Sequence, residues 1–409
     1  MLLLPAALFG FGPLAGLVVR GRREGLQVTD LAFPLTEYTE RIGRVREAMS
    51  SHSLDGLLVH SLPEICYLTG FQTALIRAYA CLVIPAQGEC ALVIERDEQY
   101  NAHESSWVNE LFTYPRWKDP VDTTLDAISS LGLSCCRIGL DLRTRYLAPL
   151  DYIKIADGLK RWCVSNSGGI VSQCMRIKSQ LEVNYIRRAA SITELGMRAA
   201  IDEAVIGTTD NAIASTAYKA LIGSGSEYMS SDPIVCAGNN SSIPHGHFRN
   251  RSIADGDLVL LEMSGCVRRY SAPMMRTVSI GQPDKVVASM ADRCRAALEA
   301  IIERMQPGVL FSDIASTGKA VLADFGTSMI FHGTYAYSIG LGFPGTSWAD
   351  SLVEIREGGL DTLAPGMVLH IPMSLRDRGK AGVACSDSVL ITASGCESLT
   401  HLERGIFIR

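Results

Sequence analysis

Two side chains in the C-terminal half carry the chemistry this chain is best equipped for. His245 closes the segment Gly238-Asn239-Asn240-Ser241-Ser242-Ile243-Pro244-His245, and Glu262 ends the apolar run Leu258-Val259-Leu260-Leu261. An imidazole titrates nearest neutral pH and suits proton shuttling. A carboxylate delivered into the interior by a buried strand is costly unless it is paired or used. Glu262 is therefore either the ion partner of Arg268, Arg269 or Arg276, or a base or nucleophile. In the second case the two residues form an acid/base pair that works without a bound ion. His245 also has a bland reading, a loop histidine stacked on Phe248.

The surrounding motifs favour chemistry. Pro244 to His247, Leu260 to Gly265, Tyr337-Ser338-Ile339-Gly340-Leu341-Gly342 and Pro365-Gly366-Met367-Val368-Leu369-His370 make the run from Met175 to Arg409 resemble the creatinase/aminopeptidase P "pita-bread" family. Residues 35 to 170 resemble the creatinase-type N-terminal domain of that family. The metal-dependent peptidases in it hold two divalent ions with two Asp, one His and two Glu. At the matching positions this chain has Glu262, Pro273, Tyr337, Pro372 or a residue beside it, and Ser386, the last beside Asp387. Proline offers no side-chain donor, so the resemblance implies a site without metal or other cofactor.

The same resemblance assigns His245 to proton transfer and substrate contact, Glu262 to catalysis, and Asp387 to orienting or polarising one of them. The segment from Glu262 to Pro273, followed by Arg276-Thr277, and the segment from Tyr337 to Pro344, followed by Trp348 and Asp350, are most similar to ectoine hydrolases. Creatinase is a weaker match, because its catalytic glutamate precedes the Arg-Thr pair where this chain has Met275. Tyr337, Trp348, Asp350 and His370 are the expected substrate contacts. Arg77 matches a creatinase-type arginine that reaches the substrate carboxylate of a neighbouring subunit, which implies a homodimer with shared sites.

Positioning these groups takes two domains. Residues 1–34 read as an N-terminal extension without order; residues 35–172 as the smaller α/β domain, with a helix from Tyr38 to Met49, a strand from Gly56 to His60, and strands Ala80 to Pro85 and Cys90 to Ile94 around a Gln-Gly turn. Thr123 to Leu131 reads as a helix and Arg137 to Asp141 as a strand. Residues 173–409 form the larger α+β domain. There Ser179 and Glu182 make a capping box opening a helix to about Ala204. Helices at Thr208 to Leu221, Asp284 to Met305 and Phe311 to Phe325 pack on a curved antiparallel sheet that includes strands at Leu258 to Glu262, Met367 to Ile371 and Ser388 to Thr392.

Composition narrows the partners. With 47% hydrophobic and 20% charged residues in 409, and a net charge of −5, the chain is globular and has no field for nucleic acid. The uncharged stretch Met1 to Val19 is broken by Pro5, Gly10, Gly12, Pro13 and Gly16, a poor membrane helix and a poor export signal. Twelve cysteines without a CxxC pair read as reduced, buried thiols in a cytoplasm. Cys236 and Cys266 lie near the motifs but need an activated thiolate to act. The glycines around 223–226 and 333–342 lack the spacing of a phosphate loop, a dinucleotide loop or a nucleophile elbow.

The sequence thus points to a metal-independent hydrolase of a small amidine, guanidine or amide that bears a carboxylate. The competing readings are a metal-dependent Xaa-Pro aminopeptidase-like enzyme using His247, His332 or His370, and a pita-bread domain that only binds.

Overall fold

Five strands buried on both faces, between Gly56 and Leu140, are interspersed with helices in the first part of the chain. The computed structural model describes residues 19–21, 30–134, 136–323 and 329–409. It divides into two compact units, Met1–Ile170 and Val171–Arg409.

In the first unit, β1 (Val19–Gly21), α1 (Leu35–Ser51), β2 (Gly56–Val59), α2 (Leu62–Thr69), β3 (Cys81–Pro85), β4 (Ala91–Glu95), α3 (Gln99–Ser105), β5 (Glu110–Tyr114), α4 (Pro120–Ser130), β6 (Ile138–Leu140), α5 (Pro149–Leu159) and β7 (Val164–Asn166) follow in order. They build one mixed sheet in the order β1-β5-β4-β3-β2-β6-β7. α1 buries Tyr38, Ile42, Val45 and Met49, the stripe that helical periodicity requires. α4 begins at Pro120, with the Asp119 side chain accepting a hydrogen bond from the Val121 N–H, a start signal with both parts in place. The strand at Val19–Gly21, within the expected extension, pairs antiparallel with β5. The rest of residues 1–29 lies outside the described residues.

The second unit follows α6 (Ile170–Met175). It contains α7 (Gln180–Glu203), α8 (Asp210–Gly223), β8 (Ile234–Ala237), β9 (Leu258–Met263), β10 (Cys266–Val267), β11 (Tyr270–Ser271), β12 (Met274–Ser279), α9 (Lys285–Arg304), α10 (Phe311–Leu322), β13 (Met329–Ile330), β14 (Ala336–Ile339), β15 (Ala349–Ile355), β16 (Val368–Asp377), β17 (Ala381–Ile391), β18 (Cys396–Ser398) and β19 (Ile406–Ile408). The capping box forms as expected: the Ser179 side chain accepts from the Glu182 N–H, and the Glu182 carboxylate accepts from the Ser179 N–H.

Two larger sheets carry the unit, β19-β12-β9-β8 and β15-β14-β16-β17-β18 with β13 added to β16. The pairing is antiparallel, as expected, except between β12 and β19. α9 and α10 bury Met290, Leu298, Ile301, Phe311 and Ile314 in one core with Leu369, Ile371, Met373 and Leu375 of β16.

β16 is longer than the expected Met367 to Ile371, continuing through Pro372 to Asp377. β14 pairs with it at His370 and Leu369, and β13 only at Arg376 and Asp377. On that side of the strand no partner among the described residues awaits an N–H from Pro372, so proline can sit inside the strand.

Candidate active site

A cavity of about 810 Å³ opens in the second unit, and strand periodicity explains its walls. β9 lies between β8 and β12, so Glu262 stands opposite both Ile234 and Met275, and all three line the cavity. On β16 the alternate residues Pro372, Ser374 and Arg376 face the same space, as a period of two demands. His245, His332, Tyr337 and Trp348 complete the part of the wall that bears on chemistry. His245 and Glu262, singled out from the sequence, are thus brought to one cavity.

Glu262 is 6% exposed. Among the described residues its carboxylate makes no hydrogen bond and no ion pair; the expected partner Arg276 pairs with Asp387 instead, and Arg269 faces Glu227. Burial raises the Glu262 pKa to about 7, against an opposing pull from the Arg376 guanidinium. A carboxyl group poised there is divided between acid and base near neutral pH.

His245 is exposed and holds a left-handed backbone with φ of 54°, sparsely populated by residues with a side chain. Its loop is tied down from below. Arg376 Nη1 donates to the carbonyls of Ser241 and Ile243 at 2.6 and 3.4 Å. Gly382 N–H donates to Ser241 Oγ at 2.9 Å, and Gly379 N–H to Ser242 Oγ at 3.0 Å. A Cβ on Gly382 would stand 2.0 Å from the Ser241 carbonyl oxygen, so glycine is what lets β17 approach the turn.

The positions matching the family's metal ligands converge on this region but hold a different device. Trp348 Nε1 donates to Tyr337 Oη at 2.6 Å, Tyr337 Oη is 2.7 Å from His370 Nδ1, and His370 Nε2 is 2.7 Å from Ser386 Oγ. Ser386 Oγ accepts from the Met275 N–H at 2.7 Å. Burial pushes the His370 pKa down to about 3, so the ring is neutral and donates from one nitrogen only. Burial also holds Tyr337 well above its usual range, as a neutral phenol. Among the described residues no three His, Cys, Asp or Glu side chains are grouped to hold a metal ion. The donor set does not fit a dinuclear centre: one carboxylate, two prolines, and a hydroxyl pair already engaged.

The remaining expected residues sit elsewhere. His370 is fully buried behind Tyr337 and is outside the cavity wall. There its two ring nitrogens contact Tyr337 and Ser386. Asp387, expected to act on the catalytic pair, is buried between Arg276 Nη2 at 3.0 Å and Arg404 Nε at 2.8 Å, a structural clamp away from the wall. Asp350, expected to touch substrate, forms a buried ion pair with Lys178 at 3.1 Å and accepts from the Ser338 hydroxyl at 2.8 Å. Arg77 is an exposed residue of the first unit. Cys236 and Cys266 are buried thiols, raised to about 11 and about 12 by burial, unsuited to nucleophilic attack.

His332 lines the cavity with both ring nitrogens committed. Nδ1 accepts from the Thr334 N–H at 3.1 Å, which leaves Nε2 to donate to the Pro372 carbonyl at 2.9 Å. Sequence reasoning missed Arg376. The signal was present: a strand continued past Pro372 places Arg376 in phase with Pro372 and Ser374.

The model for metallopeptidase family M24 matches residues 184–393, and the creatinase/prolidase N-terminal domain matches residues 41–174. The chain is 26% identical to a Xaa-Pro dipeptidase of Pyrococcus horikoshii, over 89% of this chain and 98% of that protein. It is 25% identical to an ectoine hydrolase of Halomonas elongata, over 93% of this chain and 99% of that one. Its fold is similar to that of the dipeptidase PepE of Mycobacterium ulcerans, with a TM-score of 0.80 at 22% identity over 92% and 99% of the two chains. No helix among the described residues is long and apolar enough to cross a membrane.

Proposed function

The chain is a hydrolase that belongs to metallopeptidase family M24 and carries a creatinase/prolidase N-terminal domain, and we propose that it cleaves a non-peptide carbon–nitrogen bond in a small carboxylate-bearing amidine, guanidine or amide, without a metal ion. The observation that carries this reading is Glu262, a buried carboxylate without a hydrogen-bond or ion-pair partner among the described residues, which shares a cavity with His245 and has a pKa raised by burial to about 7.

Glu262 in its anionic form takes a proton from water, and the resulting hydroxide attacks the amidine or amide carbon. The C–N bond breaks as His245, protonated, gives its proton to the leaving nitrogen. The proton on Glu262 returns to His245 through solvent to close the cycle. Tyr337 and Trp348, fixed to one another, bring aromatic surface to the cavity, suited to a compact ring. His332 and His370 already use both ring nitrogens, which speaks against the metal-dependent peptidase reading. Similarity to an ectoine hydrolase supports a cyclic amidine as the first substrate to offer. The assignment of Arg77 to a neighbouring subunit of a homodimer stays part of this proposal.

The test is turnover of ectoine, with creatine as comparator, by the purified full chain before and after exhaustive chelation, alongside elemental analysis. Ectoine opening at an unchanged rate, without stoichiometric manganese, iron, cobalt or zinc, is the expected result. Two ions per chain and activity lost on chelation would overturn the proposal.

A further inference from the structure

Arg376 is the one Arg or Lys side chain lining the cavity among the described residues, and its guanidinium is only partly engaged. Nη1 serves the carbonyls of Ser241 and Ile243. Nε and Nη2 donate to nothing among the described residues, though the residue is only 7% exposed. They are not sealed off as unsatisfied buried atoms either, so they reach the open space the residue lines. Glu262 acts on Arg376 only through its field and forms no ion pair with it.

A cation buried this far is costly without a partner. The edge formed by Nε and Nη2 presents two parallel N–H donors, the geometry that takes a carboxylate bidentately. The Ser241 and Ile243 carbonyls fix the far side of the guanidinium, so that edge is pre-aimed. We propose that Arg376 is the receptor for the carboxylate of the substrate, with the scissile carbon held between that anchor and the Glu262–His245 pair. The inference rests on the hydrolase reading for the reaction and on Arg376 itself for the binding. It confines substrates to small anionic or zwitterionic molecules, and neutral amidines or amides of the same size are poor ligands.

The test compares ectoine with its carboxamide by titration calorimetry, on the natural chain and on Arg376→Gln. Loss of a charge-assisted bidentate pair weakens binding by roughly tenfold to a hundredfold. That loss is expected for ectoine and not for the carboxamide, with Arg376→Lys intermediate because an ammonium keeps the charge but not the fork. Equal affinity of Arg376→Gln and the natural chain for ectoine would overturn the proposal, as would a parallel loss for both ligands. Should Arg376→Gln fail to fold, the natural chain decides alone: preference for ectoine over its carboxamide supports the receptor, and equal binding sinks it. Acetate and creatine extend the set, and failure of every carboxylate to bind also sinks it. Carboxylate binding that depends on Arg376, without any C–N turnover, supports the receptor while removing the hydrolase reading.

Discussion

The hydroxyl of Tyr337 lies 2.7 Å from Nδ1 of His370 and accepts a hydrogen bond from Trp348 Nε1 at 2.6 Å. Side chains expected to meet substrate are thus first bound to one another, and Ser386 continues the chain on the far side of His370. Where the metal-dependent relatives are expected to gather carboxylates around cations, this chain has a neutral hydrogen-bonded row.

Replacing Tyr337 by Phe tests that row. It leaves the indole N–H of Trp348 and one nitrogen of buried His370 without their partner, at a cost of about 1–3 kcal/mol. For a unit of this size the midpoint of thermal unfolding should fall by about 2–4 °C per kcal/mol. Calorimetry of Tyr337→Phe checks it, and an unchanged midpoint would mean that the row contributes no stability.

The pH–rate profile follows from Glu262. A base with a pKa of about 7 is active only when ionised, so kcat/KM should fall tenfold per pH unit below about 7. An ordinary glutamate would hold activity down to about pH 4.5. Glu262→Gln should lower kcat by roughly 10²–10⁴, measured over pH 5 to 9. A profile flat down to pH 5 is incompatible with Glu262 as the base.

Stability carries the opposite sign. The folded pKa of Glu262 lies above its unfolded value of 4.5, so between the two the native state binds more protons than the unfolded one. Stability then declines as pH rises from about 4.5 to about 7, by roughly 3 kcal/mol in all. Glu262→Gln lacks this penalty. It should match the natural chain near pH 4 and exceed it by a few kcal/mol at pH 8 in denaturant titrations, a gain in stability at the expense of function.

Much of this was legible in the sequence, and the exceptions have physical causes. The Ser179–Glu182 capping box, the buried β9 and its terminal Glu262 are local patterns, and local patterns survive into the fold. Arg376 was missed because Pro372 reads as the end of a strand, whereas the open ladder beside it lets the strand run on. The contacts of Asp387 were not legible because its partners Arg276 and Arg404 are distant in sequence, and only the folded chain shows them closing on both carboxylate oxygens. The expected partners of Glu262 failed for the same reason.

Asp387 as a clamp makes its own prediction. Removing it in Asp387→Ala leaves a fully buried Arg276 guanidinium bonded to backbone carbonyls but without its counter-ion, and takes from Arg404 one of its two carboxylate partners. Breaking a buried pair from one side costs about 3–5 kcal/mol, so the variant should be strongly destabilised in urea. If it retains a folded population at low temperature, KM and the acid limb of the pH profile should be unchanged in that population. A catalytic partner of Glu262 would move both.

His245 separates backbone from chemistry. At φ of 54° a residue with a Cβ is strained by about 1 kcal/mol relative to glycine. His245→Gly and His245→Ala both remove the imidazole, so each should lose roughly 10²–10⁴ in kcat. Only the alanine variant keeps the backbone strain, and His245→Gly should be the more stable of the two by about 1 kcal/mol in urea titrations. Added imidazole should restore part of the rate in His245→Gly, where the side chain's volume is vacant, because the missing function is a proton carrier. Full activity in either variant would assign the left-handed turn to loop geometry alone and leave Glu262 without its acid.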